Sequence, residues 1–290
     1  MDGIFFIDKP KGITSRDVVN TIIRKTETRK VGHTGTLDPI ATGVLIVCVG
    51  KATKLVDILT SEDKEYEAEI CLGVETDTLD AEGTILKEEL VEKEENEIDS
   101  VLASMVGEYD QEVPKYSAVK VDGKKLYEYA RQNQDVALPS RRVSIFSLER
   151  ISTIRKENGR LYFSIRTKVS KGTYIRSLIR DIAYKLNTVG IMINLRRIKQ
   201  GKFSIDMCKK LDDIHLSDLH SFASVLSDIY QVVVDDVLKK DVLNGKILEN
   251  IYNQEKILFK DKDGYLLALY HRYEKDDTKI KPYIMIGGIK

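Results

Sequence analysis

Apolar and acidic residues alternate strictly over Lys64–Leu72, which is the clearest periodic pattern in the chain. A two-residue period predicts a β-strand with one buried face. Other apolar patterns predict strands at 3–7, 44–49, 116–121, 143–151, 160–169 and 191–198. The turn dipeptide Asn158-Gly159 favours a hairpin between two of these strands.

Apolar residues at helical spacing predict helices at 96–106, 124–131 and 173–186, and an earlier helix with Ser15 as its N-cap. Strands and helices therefore interleave without regular alternation. This order predicts an α+β fold, with a mixed or antiparallel central sheet flanked by helices.

The pattern changes near residue 225, where short apolar segments replace the longer elements. Turn signals at Asn244-Gly245 and Asp263-Gly264 favour closely spaced strands. We therefore expect two domains, a larger one over residues 1–227 and a small all-β domain over residues 228–290.

The composition is that of a folded protein, since 42% of the 290 residues are hydrophobic and 32% are charged. The longest apolar run, 44–49, is far shorter than the roughly 20 residues of a membrane-spanning helix, so no membrane partner is expected. Asp8 interrupts the apolar N-terminus too early for a signal peptide. Cys48, Cys71 and Cys208 form no C-x-x-C pair, which predicts buried thiols in a reducing cytoplasm.

Charge is distributed unevenly, although 46 Lys and Arg balance 46 Asp and Glu. The segment 61–112 has 3 basic and 19 acidic residues, whereas the segment 141–210 has 18 basic and 4 acidic residues. Such blocks predict one face that binds a polyanion such as RNA and a second, solvated face.

Known motifs for metal binding, nucleotide binding and serine hydrolysis are missing from the sequence. There is no H-E-x-x-H, no Cys/His set with zinc spacing, no Walker loop and no G-x-S-x-G. The remaining candidate is the Gly-rich segment 32–43, in which Asp38 precedes Pro39. On spacing alone, an Asp before Pro is most often a turn residue. The alternative is a lone carboxylate that acts from a loop as a nucleophile or as an acid and base.

Several ordered motifs together resemble the bacterial TruB family of tRNA pseudouridine-55 synthases. The resemblance spans nearly the whole chain, and a chance origin of all the matches is improbable although each alone is weak. The motifs are DKPKGITS at 8–15, GHTGTLDPIATG at 32–43, GKATK at 50–54, KEYEA at 64–68, YSAVK at 116–120, GKKLYEYAR at 123–131, SKGTYIR at 170–176 and LRR at 195–197.

The resemblance implies isomerisation of uridine 55 in the T-loop of tRNA to pseudouridine, with no cofactor and no metal. It also implies the pseudouridine synthase fold, with an inserted RNA-binding segment at about 113–140 and a PUA-like C-terminal β domain. The expected partner is the T-arm of tRNA, bound by a monomer in the cytoplasm without a protein partner or guide RNA. Asp38 would be the catalytic aspartate, acting either as a nucleophile on the ribose or as a base that generates a glycal-type intermediate.

The resemblance also assigns roles to further residues, each of which has a structural alternative. Tyr66 would stack on the extruded uracil and serve in proton transfer, or be a core tyrosine. Arg176 would pair with Asp38, or be a solvated surface arginine. Tyr174 and Leu195 would be walls of the pocket, or plain core residues.

RNA contacts are expected from a histidine and several basic residues. His33 would fill the space that the flipped base leaves in the T-loop, or be an ordinary surface residue. The basic residues expected to contact phosphates are Lys124, Lys125, Arg131, Arg141, Arg142 and Lys171.

Two other functions are compatible with the same motifs. An RNA chaperone would open the tRNA elbow and allow it to refold through the same base-flipping surface. A non-catalytic RNA-binding module would use Asp38 only as a turn residue, but Tyr66 and Arg176 then have no evident purpose.

Overall fold

The computed structural model describes residues 1–289. Within that range the α-helices are α1 (Ser15–Thr26), α2 (Val56–Ser61), α3 (Glu95–Ser104), α4 (Leu126–Arg131), α5 (Ile175–Lys185), α6 (Phe222–Val225) and α7 (Asp236–Leu243). The strands up to the middle of the chain are β1 (Gly3–Lys9), β2 (Val31–His33), β3 (Thr42–Val49), β4 (Lys64–Leu72), β5 (Val74–Thr76), β6 (Ile85–Glu88), β7 (Gly107–Glu112), β8 (Lys120–Val121), β9 (Lys124–Lys125) and β10 (Ser140–Arg150). The later strands are β11 (Arg155–Glu157), β12 (Arg160–Val169), β13 (Gly190–Gln200), β14 (Phe203–Ser204), β15 (Lys209–Lys210), β16 (Tyr230–Val233), β17 (Leu248–Glu249), β18 (Lys256–Lys260), β19 (Leu266–Tyr273) and β20 (Asp276–Ile289).

The central sheet has the strand order β15-β1-β3-β13-β4-β12-β10-β7, with β2, β11 and β14 attached to its members. Most neighbours are antiparallel, but β13 runs parallel to β3, and β15 runs parallel to β1. The sheet is therefore mixed, and the predicted α+β class is confirmed.

Helices α1, α3 and α5 cover one face of this sheet because their apolar residues share a core with it. The helical contribution consists of Val18, Ile22, Ile98, Leu102, Ile175, Leu178, Ile179, Ile182 and Ala183, all at most 5% exposed. Tyr66, Ala68 and Leu195 face the same core from β4 and β13. The strict alternation along β4 thus turns Tyr66 towards the helices and the glutamates away from them.

The opposite face of β1 and β3 packs on a second apolar cluster. Ile4, Phe6 and Ile46 belong to this cluster together with residues of α2, α6 and the C-terminal sheet. That C-terminal sheet has the order β16-β18-β19-β20-β17, and it shares this core rather than forming a detached unit.

Three predictions of local structure are wrong. Thr14, not Ser15, caps α1: its hydroxyl accepts a hydrogen bond from the Asp17 backbone N–H. The residues 116–121 form a loop that ends in the short strand β8, because backbone carbonyls there bond to Arg176 and to α4 instead of a sheet. The C-terminal domain is not all-β, since α7 precedes Asn244-Gly245.

The predicted insertion lies between two strands that pair directly with each other. Strands β7 and β10 are antiparallel neighbours at the edge of the sheet, and the chain between them forms the β8–β9 hairpin and α4. This connection starts from the edge strand β7, and its Tyr116 carbonyl accepts a hydrogen bond from Arg176 near the N-terminus of α5.

Candidate active site

A cleft of about 580 Å³ opens over the helix-covered face of the central sheet. Five residues predicted for catalysis or for binding the uridine line it together, although they come from distant parts of the sequence. These residues are Asp38, Tyr66, Tyr174, Arg176 and Leu195.

The loop that carries Asp38 is fastened to the start of α1. The Ser15 hydroxyl donates to the Leu37 carbonyl (3.1 Å) and accepts from the Leu37 N–H (2.8 Å). The Gly12 N–H donates to the Pro39 carbonyl (2.8 Å). Ser15, expected to cap the helix, therefore fixes the loop just before the aspartate, and Gly12 fixes it just after.

Gly43 is the second residue of β3, just after this loop, and only glycine fits there. Its φ is +102°, and a Cβ atom would lie 2.2 Å from the Arg197 carbonyl oxygen. The absence of a side chain lets β3 approach β13 closely at this point.

Arg176 forms an ion pair with the carboxylate of Asp38 in the cleft. Its Nε lies 3.0 Å from Asp38 Oδ2, while its terminal nitrogens donate to the carbonyls of Thr78 (2.9 Å) and Tyr116 (3.0 Å). The arginine is 6% exposed, whereas 36% of the Asp38 side chain is exposed. A buried guanidinium thus orients a carboxylate that still faces the open cleft.

The walls of the cleft are aromatic and aliphatic. Tyr66 and Leu195 are each 8% exposed, and strand register places Leu195 opposite Ala68 and Tyr66 opposite Arg197. Tyr174, the residue before α5, also lines the cleft. Both of the roles considered for Tyr66 and Leu195 fit this position, because each side chain joins the core and also lines the cleft.

Sequence reasoning missed several groups that support the site. Arg197, 1% exposed, donates to the carbonyls of Val44 (2.6 Å) and Gly35 (3.2 Å) and so braces both ends of the Asp38 loop. Asp80 Oδ2 lies 3.8 Å from Arg176 Nη1. Arg197 could have been found from the sequence, because it belongs to the LRR motif, in which only Leu195 was given a role. Asp80 could not, because nothing distinguishes it from the other acidic residues of the segment 61–112.

Lys64 is a buried amine at the edge of the cleft. Its Nζ donates to the carbonyls of Thr60 (2.5 Å) and Glu62 (2.6 Å) at the end of α2. Burial lowers the pKa of Lys64 to about 8.

His33 is not among the residues that line the cleft. It ends β2, where its Nδ1 accepts the Gly35 N–H (3.3 Å). Burial, followed by the charges of Arg197 and Arg16, lowers the pKa of His33 below its usual value.

The basic residues predicted for RNA binding fall into three groups. The Lys125 Nζ and Arg131 Cζ atoms each lie 5.4 Å from the ring centroid of Tyr127, which lines the cleft. Lys124 Nζ instead donates to Gln134 Oε1 (2.8 Å) within the insertion. Arg141 lines the cleft, and Lys171 is exposed between two lining residues. Arg142 forms ion pairs with Glu108 (3.4 Å) and Asp110 (3.3 Å) and does not line the cleft.

The two charge blocks do not form separate faces, which corrects the interpretation of the charge distribution. Acidic β4 lies between basic β12 and β13, so that the two blocks become neighbours in the sheet. Glu67 pairs with Arg166 (2.8 Å) and Glu65 with Lys199 (3.5 Å). Much of the basic block therefore neutralises the acidic one.

Among the described residues, no group of three His, Cys, Asp or Glu side chains is arranged to hold a metal ion. In the same range, no helix is long and apolar enough to cross a membrane.

The fold is that of the pseudouridine synthases, and its cleft contains the Asp38–Arg176 pair. The structure titled "Crystal Structure of a Cbf5-Nop10-Gar1 Complex" contains a chain that matches with a TM-score of 0.69 and 25% identity, over 99% of this chain and 83% of that one. A chain in the structure of an H/ACA RNP bound to a substrate RNA containing 2'-deoxyuridine matches with a TM-score of 0.66 and 24% identity, over 98% and 82% of the two chains.

The family follows from sequence comparison. The model of the TruB family pseudouridylate synthase N-terminal domain matches residues 23–175. The tRNA pseudouridine synthase B of Halalkalibacterium halodurans is 39% identical over 99% of this chain and 98% of its own length. That of Acholeplasma laidlawii is 41% identical over 93% of this chain and 95% of its own length. The chain therefore belongs to the TruB family of pseudouridylate synthases, as its motifs predicted.

Proposed function

We propose that this protein converts uridine 55 in the T-loop of tRNA to pseudouridine. The observation that carries the proposal is the Asp38–Arg176 pair at 3.0 Å, in a cleft lined by Tyr66 and Tyr174. Membership of the TruB family and full-length relatives named tRNA pseudouridine synthase B support the same activity.

The reaction is an isomerisation, so the protein needs no net donor of atoms or electrons. The bond from ribose C1' to uracil N1 breaks, the base turns, and a bond from C1' to C5 forms; C5 loses a proton and N1 gains one. Asp38 initiates this exchange, either by adding to the ribose or by removing a ribose proton. Arg176 holds the carboxylate aimed along the cleft in both routes.

The walls of the cleft suit a base taken out of its stack. Tyr66 offers a ring on which uracil stacks and a hydroxyl for proton transfer. Tyr174 and Leu195 exclude water from the reacting sugar and base, which strengthens the electrostatic contacts of Asp38.

The T-arm would be held around this cleft. Arg141 and Lys171 lie beside it, and Lys124, Lys125 and Arg131 belong to the insertion that borders it. These five residues are our candidates for phosphate contacts, with His33 entering the T-loop from β2. Arg142 is the weakest candidate because its charge is already paired.

The remaining parts of the proposal concern organisation and setting. Residues 1–227 act as the catalytic domain, and residues 228–290 as a PUA-like domain docked on it through the shared apolar core. The protein acts as a monomer on tRNA in the cytoplasm, without a cofactor, guide RNA or protein partner. The free thiols Cys48 and Cys71, both buried, are compatible with a reducing compartment.

The test is to incubate the purified protein alone with a T-arm transcript and to map pseudouridine at single-nucleotide resolution. We expect one modified position, the T-loop target, with no added metal, nucleotide or second protein. A transcript with cytidine at that position is the control and should remain unmodified. Binding and refolding of the transcript without any pseudouridine would refute the proposal in favour of an RNA chaperone.

A further inference from the structure

A glutamine outside the cleft is bonded to the backbone of a residue that lines it. Gln111, on the edge strand β7, is 1% exposed. Its Oε1 accepts the Tyr174 N–H (2.7 Å), and its Nε2 donates to the Tyr174 carbonyl (3.1 Å). The carboxamide thus pairs with both backbone groups of Tyr174, as a neighbouring strand would.

The orientation of this carboxamide is fixed by a second contact. Gln111 Nε2 also donates to the Tyr109 hydroxyl (2.7 Å), which donates in turn to Asp181 Oδ2 (3.2 Å) on α5. A hydroxyl has one hydrogen, so a Tyr109 that donates to a carboxylate accepts from Gln111. The amide nitrogen therefore faces Tyr109, and the amide oxygen faces the Tyr174 N–H.

The backbone of Tyr174, to which Gln111 bonds, sets the positions of two residues in the cleft, Tyr174 itself and Arg176. Tyr174 is the N-cap of α5, its side chain makes no capping hydrogen bond, and Arg176 is the second residue of the helix. A shift of the turn at Tyr174 would move its ring in the cleft and the guanidinium that contacts Asp38.

We propose that Gln111 is a positioning residue for the isomerisation: its carboxamide sets the turn that places Tyr174 in the cleft and Arg176 against Asp38. This inference rests on the proposed function. The chain of Asp181, Tyr109 and Gln111 gives the turn one geometry, and a misplacement of about 1 Å at reacting groups costs on the order of 10²-fold in rate.

A second bond between the same strand and helix provides the matched control. The Ser177 hydroxyl donates to the Glu112 carbonyl (2.9 Å), so it also ties α5 to β7 but does not touch Tyr174. If attachment of the helix were all that mattered, loss of either bond would have the same effect.

The experiment compares Gln111→Glu with Ser177→Ala and wild type in single-turnover assays on the T-arm transcript, with transcript affinity measured in parallel. Gln111→Glu keeps the side-chain shape but replaces the donor Nε2 by an oxygen that repels the Tyr174 carbonyl. We expect its rate to fall about 10²-fold, with Kd for the transcript within about threefold. Ser177→Ala should keep its rate within about threefold of wild type.

A pH profile separates positioning from general damage. Protonation of the introduced carboxyl restores a donor, so the ratio of the Gln111→Glu rate to the wild-type rate should rise as the pH falls. If Gln111→Glu does not fold, Tyr109→Phe decides instead: it frees the amide to turn and should slow the reaction about tenfold without pH rescue.

Each outcome is decisive. Wild-type rates for Gln111→Glu, or for Tyr109→Phe where only that variant folds, would overturn the inference, as would an equal loss for Ser177→Ala. A loss of affinity as large as the loss of rate would also overturn it. An inactive wild-type protein would instead refute the proposed function, and the inference with it.

Discussion

Two neighbouring arginines on β10 allow a sharp test of where the tRNA lies. Arg141 lines the cleft and forms no ion pair with any residue the structure describes, whereas Arg142 is paired with Glu108 and Asp110. Successive residues of a strand point to opposite faces. The two arginines are adjacent in the chain, but their side chains therefore have different surroundings. We expect only Arg141 to contact a phosphate.

The magnitude follows from counterion release. Each lost phosphate contact flattens the slope of log K against log salt by about 0.7 to 0.9, which is about threefold in affinity over a fourfold change in salt. Arg141→Gln should show this flattening, and adding Lys171→Gln should double it. Arg142→Gln should leave the slope unchanged.

The assay is filter binding of the T-arm transcript from 50 to 200 mM salt. Thermal unfolding of each variant is the control for folding. Equal slopes for Arg141→Gln and Arg142→Gln would refute the view that the cleft side of β10 faces the RNA.

Three further predictions follow from single residues. Tyr66→Phe keeps the stacking ring and loses the hydroxyl, while Tyr66→Leu loses both. Each should slow turnover severely, and a fully active Tyr66→Leu would show that Tyr66 is only a core residue. Because burial lowers the pKa of His33, the unfolded chain binds more protons than the folded one just below pH 6.5, and stability should fall as the pH drops through that value. Chemical denaturation should show a smaller loss for His33→Gln than for wild type, and an equal loss would contradict the role of His33; the remainder comes from His271, whose pKa is also lowered by burial. Thr14→Ala removes the cap of α1 and should lower the free energy of unfolding by about 1 kcal/mol, whereas no change would contradict the capping role.

Much of the fold could be predicted because its elements carry local signals. The alternation over Lys64–Leu72 defines β4 to the residue, and the apolar stripe from Ile175 to Leu186 identifies α5. The loop at 116–118 could not be predicted, because its carbonyls bond to Arg176 and Tyr127, which are distant or later in the chain. Local propensity contains no information about such partners.

The site likewise combines residues that sequence motifs identify with residues that only the folded chain brings together. Asp38, Tyr66 and Arg176 were named from motifs, and the structure brings them into one cleft. The charge blocks misled, because sequence order does not show that β4 lies between β12 and β13. Gln111 had no sequence signal of its own, since its importance arises from a contact with Tyr174 that only the folded chain makes.

The most direct test of the central claim is the activity of Asp38→Asn beside its affinity for the T-arm transcript. This substitution removes the charge that Arg176 holds but changes little volume, and phosphate contacts supply most of the affinity. We predict that pseudouridine formation is abolished while Kd stays within roughly tenfold of the wild-type value. Normal turnover by Asp38→Asn would contradict the assignment of this carboxylate as the group that starts the reaction.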